Sequence, residues 1–288
     1  RAPAVADEDV RLLDARGGAS RHDDRIGTQG QQRPAIAAEQ PDRHDADGTR
    51  GFGVANTPWM NSLINGTFAG GVYNGAYAVA YAGGQIGQVT QQPTVSGPGW
   101  STMLTSVWAN RHHVTDNNFT SPDYSNNPVY LGTLRAALPS VETATFVNWD
   151  PIDTIILNSV QTDGNPANNL TFHGNYASDN AVAAGAVAAL GSTVTDYDAF
   201  FVAFDDVDAA GHTCGSSGAC YQTEIEQTDS LVGQMLTTIS NRPNFASEDW
   251  QIVITADHGH VATGGHGGQS TVERNIPFMP LSVNFDAS

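Results

Sequence analysis

The chain has 288 residues, of which 40% are hydrophobic, 30 are glycine and 14 are proline, so it can bury the core of one α/β domain and is neither a coiled coil nor a wholly disordered protein. Its 30 acidic and 12 basic residues give a net charge of −18, which argues against binding nucleic acid through the phosphates and suits a protein that collects cations. No stretch approaches the roughly 20 apolar residues that a membrane span needs.

The first 46 residues differ from the rest of the chain. They lack a sustained apolar period of either a helix or a strand, and the segment that ends at Arg50 holds 8 of the 12 arginines. We predict an irregular or disordered tail over residues 1–46, with a shifted reading frame in the gene as the alternative explanation. Residues 47–288 would form one domain, and the abrupt ending "PLSVNFDAS" suggests that this domain is truncated at its C-terminus.

Three short apolar runs predict strands: "TATFVNW" at 143–149, "AFFVAF" at 199–204 and "QIVITA" at 251–256. Their β-branched and aromatic residues are typical of strands that are covered on both faces. Helical segments alternate with these runs. The predicted fold class is therefore α/β, a three-layer sandwich whose mostly parallel central sheet has helices on both faces.

Two of the intervening helices have clear sequence signals. Residues Asp179 to Leu190 follow Ser178, a good N-cap residue, and precede Gly191, a common helix stop. Residues 221–239 place their apolar side chains on one face, and the pattern predicts that Asp229 lies on the solvated face of this helix.

Two of the predicted strands run directly into residues that can bind metal ions. The strand at 199–204 is followed by Asp208 and His212, and the strand at 251–256 by Asp257 and His258. His266 lies a little further on, in "GGHGG". Ligands bind beyond the carboxyl ends of parallel strands, and a mixture of carboxylates and imidazoles favours zinc or manganese over calcium or magnesium. We predict zinc.

A candidate nucleophile lies upstream, in "PTVSGPGW". Pro98 is compatible with the first turn of a helix, which would place Ser96 at the positive end of that helix, where anions bind. Taken alone, Ser96 could equally be an N-cap residue. Asp47, in "DGTR", taken alone is typical of a turn.

The order of these motifs along the chain is more specific than any one of them. It resembles the alkaline phosphatase superfamily, and most closely its type I phosphodiesterase and nucleotide pyrophosphatase branch, which implies an alkaline-phosphatase-like fold and covers about residues 47–280. The resemblance rests on Asp47-Gly48, Ser96-x-Pro98, Asp208-x-x-Gly211-His212, Asp257-His258-Gly259 and His266.

The resemblance implies two divalent metal ions, which we expect to be zinc. One would be held by Asp208, His212 and His266. The other would be held by Asp47, Ser96, Asp257 and His258. The remaining histidines are expected to be loop or packing residues, and His260 is expected to lie near the site without binding metal.

The resemblance also implies a reaction. Ser96, where the branch commonly has Thr, would attack phosphorus and form a phosphoserine intermediate that water then hydrolyses. Gly97 and Gly99 would lie beside the substrate phosphate, with the Gly97 N–H stabilising one of its oxygens. The expected substrate is a small phosphodiester or a nucleotide pyrophosphate.

Other functions remain open. A phosphomonoester or phosphonate hydrolase on the same scaffold is one, and a catalytically inactive, secreted metal-binding or interaction module is another. A sulfatase is disfavoured, because its motif would have a modifiable Cys at the position of Ser96 and an Arg at that of Trp100.

Two cysteines, Cys214 and Cys220, lie close together in "CGSSGAC". They could close a small loop as a disulfide or remain free thiols. Together with the absence of lysine, the pair leads us to expect an extracytoplasmic or secreted protein.

Overall fold

The computed structural model describes residues 55–166 and 169–283. The predicted tail at 1–46 and the predicted ligand Asp47 lie outside the described residues. Within these residues, no helix combines the length and the apolar character that crossing a membrane requires.

The structure is an α/β fold, as predicted. The strands are β1 (Asn74–Gly75), β2 (Ala78–Tyr81), β3 (Thr143–Val147), β4 (Phe172–Asn175), β5 (Ala199–Ala203), β6 (Trp250–Thr255) and β7 (Asn275–Val283). The helices are α1 (Pro58–Ile64), α2 (Ser96–Thr105), α3 (Ala109–His112), α4 (Tyr130–Ala137), α5 (Asn158–Gln161), α6 (Asp179–Leu190), α7 (Asp206–Cys214), α8 (Ala219–Ser240) and α9 (Thr271–Arg274). A π-helical turn at Ile152–Leu157 runs into α5, and a 3₁₀ turn at Phe245–Ser247 precedes β6.

The parallel sheet has the strand order β4-β3-β5 and is covered on both faces. Alternate residues of β5 point to opposite sides: Phe201 and Ala203 join a core cluster with Leu104 of α2, and Phe200 and Val202 join a second cluster with Val182 of α6. Burial on both faces explains why "AFFVAF" reads as a continuous apolar run. The helix–sheet–helix layering matches the predicted three-layer arrangement.

The second sheet is antiparallel, because β7 pairs with β1, β2 and β6. We had expected "QIVITA" in a mostly parallel sheet, whereas β6 runs antiparallel to β7. The sequence did not predict β7, since it contains two prolines, which cannot donate to a sheet ladder. Each proline pairs with a strand residue on one side only, Pro277 with Val79 and Pro280 with Val253.

Helix α8 is long and buries one face, as predicted, but the prediction for Asp229 was wrong. Its side chain is buried, with 1% exposure, and its carboxylate accepts hydrogen bonds from the backbone N–H groups of Trp59 (3.2 Å) and Met60 (2.8 Å). These donors belong to the first turn of α1, which has no side-chain cap of its own. Asp229 therefore caps a neighbouring helix, a role that the periodicity of α8 cannot reveal.

A polar cluster lies at the amino ends of β5 and β6. Arg242, just beyond α8, forms ion pairs with Asp196 and Glu248, donates to the carbonyl of Leu190 at the end of α6 and lies over the ring of Trp250 at 5.4 Å. This cluster joins the ends of two helices to the start of β6, at the side of the fold opposite to the carboxyl ends of the strands.

Candidate functional site

Ser96 is the first residue of α2, as the sequence predicted. It is nearly buried, with 9% exposure, and its Oγ lies 3.2 Å from Nε2 of His258. The residue before it, Val95, is extended and provides no side-chain cap. The hydroxyl therefore lies at the positive end of a ten-residue helix, where negative charge is stabilised.

Helix α7 presents Asp208 and His212 one turn apart on the same face. Their Oδ2 and Nε2 atoms lie 3.4 Å apart. Because α7 begins immediately beyond β5, both side chains lie at the carboxyl end of the parallel sheet.

The segment after β6 brings the predicted ligands Asp257, His258 and His266 to the same place. Nε2 of His266 lies 3.1 Å from Nε2 of His212 and 3.6 Å from Oδ1 of Asp208. Nε2 of His258 lies 3.4 Å from Oδ2 of Asp257. The rings of His258 and His266 stack with their centroids 3.9 Å apart, so these contacts form one continuous cluster.

Backbone hydrogen bonds orient two of these imidazoles. Nδ1 of His266 donates to the carbonyl of Thr94 (2.8 Å), and Nδ1 of His258 to the carbonyl of Gly259 (3.3 Å). Each bond fixes the proton on Nδ1 and leaves the Nε2 lone pair facing the cluster. The hydroxyl of Thr94 also donates to the carbonyl of Gly268 and accepts from the N–H of Gly267, so the segment before Ser96 holds the "GGHGG" loop.

His260 is the member of the cluster that the sequence analysis left out of the ligand set. It is buried, with 4% exposure, and its Nε2 lies 2.6 Å from Oδ1 of Asp208. Room for the ring comes from Gly211, where a Cβ would lie 2.7 Å from the imidazole. Ligand atoms of four residues lie within 4.8 Å of one another: Asp208, His258, His260 and His266.

Burial and neighbouring ionisable groups shift the pKa values of three residues of the cluster. Burial and the negative charge of Asp208 raise the pKa of Asp257 well above its usual value. Burial and the neighbouring His266 lower the pKa of His258 to about 3. Burial also lowers the pKa of His266. At neutral pH the imidazoles of His258 and His266 are therefore neutral, which is the form that binds metal.

The donor set fits divalent cations. Oδ2 of Asp257 and Nδ1 of His260 are buried and find no hydrogen-bond partner within residues 55–166 and 169–283. A buried carboxylate oxygen without a partner is costly unless a cation compensates it. Two imidazole nitrogens on one tetrahedral zinc, at Zn–N distances of about 2.0–2.1 Å, would be roughly 3.3 Å apart, close to the separation of His212 and His266. Neutral imidazoles beside carboxylates are typical zinc ligands.

Gly97 and Gly99, the predicted substrate-binding residues, make close backbone contacts. The N–H of Gly97 donates to Oδ1 of Asn117 (2.7 Å), and a Cβ on Gly97 would lie 2.5 Å from the carbonyl oxygen of Asp116. A Cβ on Gly99 would lie 2.9 Å from Cβ of Asp257. The glycines thus allow a loop and a candidate ligand to approach the start of α2.

Asn117, which the sequence analysis did not single out, lies next to the predicted substrate-binding residue Gly97. Its side-chain oxygen accepts the Gly97 N–H, the residue is exposed, and its NH₂ group has no hydrogen-bond partner among the described residues. No regular spacing links Asn117 to Ser96, and proximity in the fold is the only signal.

The cysteines form a disulfide, Cys214–Cys220. It joins Cys214, the last residue of α7 and two residues after His212, to Cys220, the second residue of α8. The alternative of two free thiols is thereby resolved in the structure.

Comparison with known proteins places these features in a family. Residues 88–274 match the family model described as type I phosphodiesterase / nucleotide pyrophosphatase. A segment of 91 residues, 32% of the chain, is 26% identical to 9% of the human GPI ethanolamine phosphate transferase 2, catalytic subunit.

Solved structures share the fold. A protein from Bacteroides fragilis described as a sulfatase superposes with a TM-score of 0.53 at 12% identity over 79% of this chain and 63% of its own. A 2-O GAG sulfatase gives 0.52 at 13% identity, over 80% of this chain and 59% of its own. Murine ectonucleotide pyrophosphatase / phosphodiesterase 5 gives 0.46 at 15% identity and covers 71% of this chain, which spans about half (52%) of that protein.

The family match is the strongest of these comparisons. It extends over more than half of the chain and includes the helix that starts at Ser96, the segments that follow β5 and β6, and the loop of His266. The chain therefore belongs to the type I phosphodiesterase / nucleotide pyrophosphatase family.

Proposed function

We propose that the chain hydrolyses phosphodiester or nucleotide pyrophosphate bonds, with Ser96 as the nucleophile. The observation that carries the proposal is the position of the Ser96 hydroxyl. It lies at the start of α2, 3.2 Å from the Nε2 lone pair of His258, beside a cluster of carboxylates and neutral imidazoles.

Two divalent ions, most simply zinc, fit this cluster. Asp208, His212 and His266 would hold one ion, and Asp257, His258 and Ser96 would hold the other together with Asp47. His260 would contact the first set through Asp208. When bound, such ions neutralise the carboxylates and stabilise negative charge on the serine oxygen and on the phosphate.

The residues of the chain account for the rest of the reaction. Oγ of Ser96 attacks phosphorus, the bond from phosphorus to the leaving oxygen breaks, and a phosphoserine forms while the hydroxyl proton passes to water. The leaving oxygen takes a proton from water. The NH₂ group of Asn117 donates to a non-bridging phosphate oxygen. Attack by water on phosphorus then breaks the bond to Oγ, releases the phosphomonoester that retains the other ester group, and returns a proton to Ser96.

A transferase is a second candidate. The same phosphoserine could be attacked by an alcohol instead of water, and the partial similarity to a GPI ethanolamine phosphate transferase supports this possibility. Adding glycerol or ethanolamine during turnover and measuring the phosphorylated alcohol distinguishes transfer from hydrolysis.

The test uses the purified chain with and without zinc. We expect zinc-dependent hydrolysis of bis(4-nitrophenyl) phosphate that exceeds hydrolysis of 4-nitrophenyl phosphate, because a diester carries one negative charge fewer into an acidic protein. Ser96→Ala should lower kcat for both substrates by roughly 10³-fold or more, the scale for loss of a nucleophile.

The control is Ser230→Ala, which removes an exposed hydroxyl on α8 that bonds only within its own helix. It should retain wild-type turnover. Full activity of the Ser96→Ala protein would rule out the proposed nucleophile, and faster turnover of the monoester would favour the phosphomonoester alternative. A zinc-loaded wild type without turnover would support an inactive metal-binding module.

We also propose that the protein works outside the cytoplasm. The Cys214–Cys220 disulfide supports this, since such bonds persist in oxidising compartments.

A further inference from the structure

We propose that Asp179 is a positioning residue for the metal site, because it holds the start of the helix that carries Asp208 and His212. The inference rests on the proposed metal centre. Asp179 lies in the first turn of α6, outside the motifs that identified the site, and its side chain is buried with 1% exposure.

The Asp179 carboxylate accepts three hydrogen bonds. Oδ1 accepts the backbone N–H of Asp205 (2.9 Å) and the side-chain NH₂ of Asn148 (3.0 Å). Oδ2 accepts the backbone N–H of Asp206 (3.0 Å). The carboxylate therefore joins the end of β3, the start of α6 and the junction between β5 and α7.

The junction has no cap of its own. Asp205 precedes α7 but makes no side-chain cap hydrogen bond, so the carboxylate of Asp179 satisfies N–H groups that would otherwise lack a partner. Asp208 follows two residues after Asp206, and His212 one turn later. A shift of the helix start moves both side chains, and a metal site tolerates only about 0.5 Å of such displacement.

Asp179 is not needed to cap α6. Ser178 is the N-cap of that helix, and its Oγ accepts the N–H of Ala181 (3.3 Å). Moreover, the buried carboxylate of Asp179 lies beside two other acidic residues, Asp205 and Asp206, whose backbone N–H groups donate to it. Asp179 is thus a buried acid whose backbone hydrogen bonds go to the start of α7 and not to its own helix, α6. This arrangement fits a role in positioning α7 better than a role in capping α6.

The chain offers a matched control in Asp229. It has the same 1% exposure, and it also accepts two consecutive backbone N–H groups at the start of another helix. That helix, α1, carries none of the candidate ligands. Removing either carboxylate therefore deletes two hydrogen bonds from backbone N–H groups at a helix start. Of the two, only Asp179 makes these bonds to α7, which carries the candidate ligands Asp208 and His212.

The experiment compares wild type, Asp179→Ala, Asp179→Asn and Asp229→Ala after removal of bound metal with a chelator. Zinc Kd is measured by competition with a chromophoric chelator, and the melting temperature of each apo protein is measured separately. We expect both alanine variants to have a lower melting temperature than wild type. Only Asp179→Ala should bind zinc about 10- to 100-fold more weakly, the range for loss of a residue that orients metal ligands.

Asp179→Asn keeps the side-chain size but turns one acceptor into a donor, so its zinc Kd should lie between those of wild type and Asp179→Ala. This variant also tests the proposal if the alanine protein does not fold. Equal zinc Kd values for wild type and both Asp179 variants would overturn the positioning role while leaving the metal centre intact. A wild type that binds no zinc would overturn the metal centre and this inference with it.

Discussion

The side chain of Asn117 shows how a residue without a motif can enter a site. Its oxygen is held by the Gly97 N–H, which fixes the direction of its NH₂ group. We expected the Gly97 N–H itself to bind a phosphate oxygen, but in the structure that N–H donates to Asn117. In the proposed reaction, the donor to the phosphate oxygen is therefore the side-chain amide of Asn117 instead.

Replacing Asn117 by Ala should lower kcat by roughly 10²- to 10³-fold, the usual effect of losing one donor to a developing oxyanion, with the zinc Kd unchanged. Asn118→Ala is the control, since Asn118 is the next residue, is exposed like Asn117, and makes its hydrogen bond to Asp116 through the backbone N–H rather than the side chain. Steady-state kinetics with bis(4-nitrophenyl) phosphate measures both. An Asn117→Ala protein with wild-type kcat would contradict the role.

Single residues could be predicted from sequence where a motif fixes their position. The structure places Ser96, Asp208 and His258 in one cluster, as their order along the chain led us to expect. His260 and Asn117 could not be assigned in the same way, because a lone histidine or asparagine has no distinguishing spacing. His112, expected to be a packing residue, is fully buried, and burial lowers its pKa to about 4.

At the scale of elements, the close approach of α2 to the end of β6 matters most for the site. Gly99 is buried in the first turn of α2 and lies against Asp257. Without a side chain there, the helix start and the candidate ligand share space that a methyl group would fill. Gly99 thus allows the start of the Ser96 helix to approach the candidate ligand Asp257 closely.

Gly99→Ala should weaken zinc binding and lower turnover, because the added Cβ would lie 2.9 Å from Cβ of Asp257 and one of the two must move. Gly132→Ala is the matched control: it is a buried helical glycine on α4 whose Cβ would lie 2.7 Å from a methyl group of Val160. Overpacking costs about 1–3 kcal/mol at either position, so thermal melts should resemble each other while zinc Kd rises only for Gly99→Ala. An unchanged zinc Kd in Gly99→Ala would show that the cluster absorbs the methyl group.

Elements with local signals were predicted well, and elements defined by distant partners were not. Helix α6 has the predicted bounds, since Ser178 caps it through its own side chain. Strand β7 was missed because its prolines argue locally against a strand, and only its three partner strands make it one. The burial of Asp229 likewise depends on α1, which is about 170 residues away in sequence.

For the whole molecule, charge is the dominant property. The net charge is −18, and from residue 51 onward the basic residues are four arginines, at positions 111, 135, 242 and 274. Three of these already donate to protein groups, as the hydrogen bonds of Arg135, Arg242 and Arg274 show. Attraction of an anionic substrate by candidate metal ions, by helix ends or by the exposed Arg111 would therefore act against a repulsive background.

Raising the ionic strength should increase kcat/KM, because salt shortens the Debye length from about 30 Å at 0.01 M to about 8 Å at 0.15 M and screens this repulsion. The increase should be larger for the dianionic 4-nitrophenyl phosphate than for the monoanionic diester. Titrations with sodium chloride and with choline chloride, at constant free zinc, separate screening from effects of a particular cation. A fall in kcat/KM with salt would mean that local attraction by the metal centre outweighs the net charge.

The Arg242 cluster has a practical consequence. It lies at the amino ends of β5 and β6, whereas the candidate catalytic groups lie beyond their carboxyl ends. The Arg242 ion pairs and the candidate site are therefore at opposite ends of these strands. A linker or solid support attached near Arg242 would leave the side of the described fold that carries Ser96 and the candidate metal ligands facing the bulk medium. Substitutions near Arg242 would alter the shelf life of an immobilised preparation more than its rate.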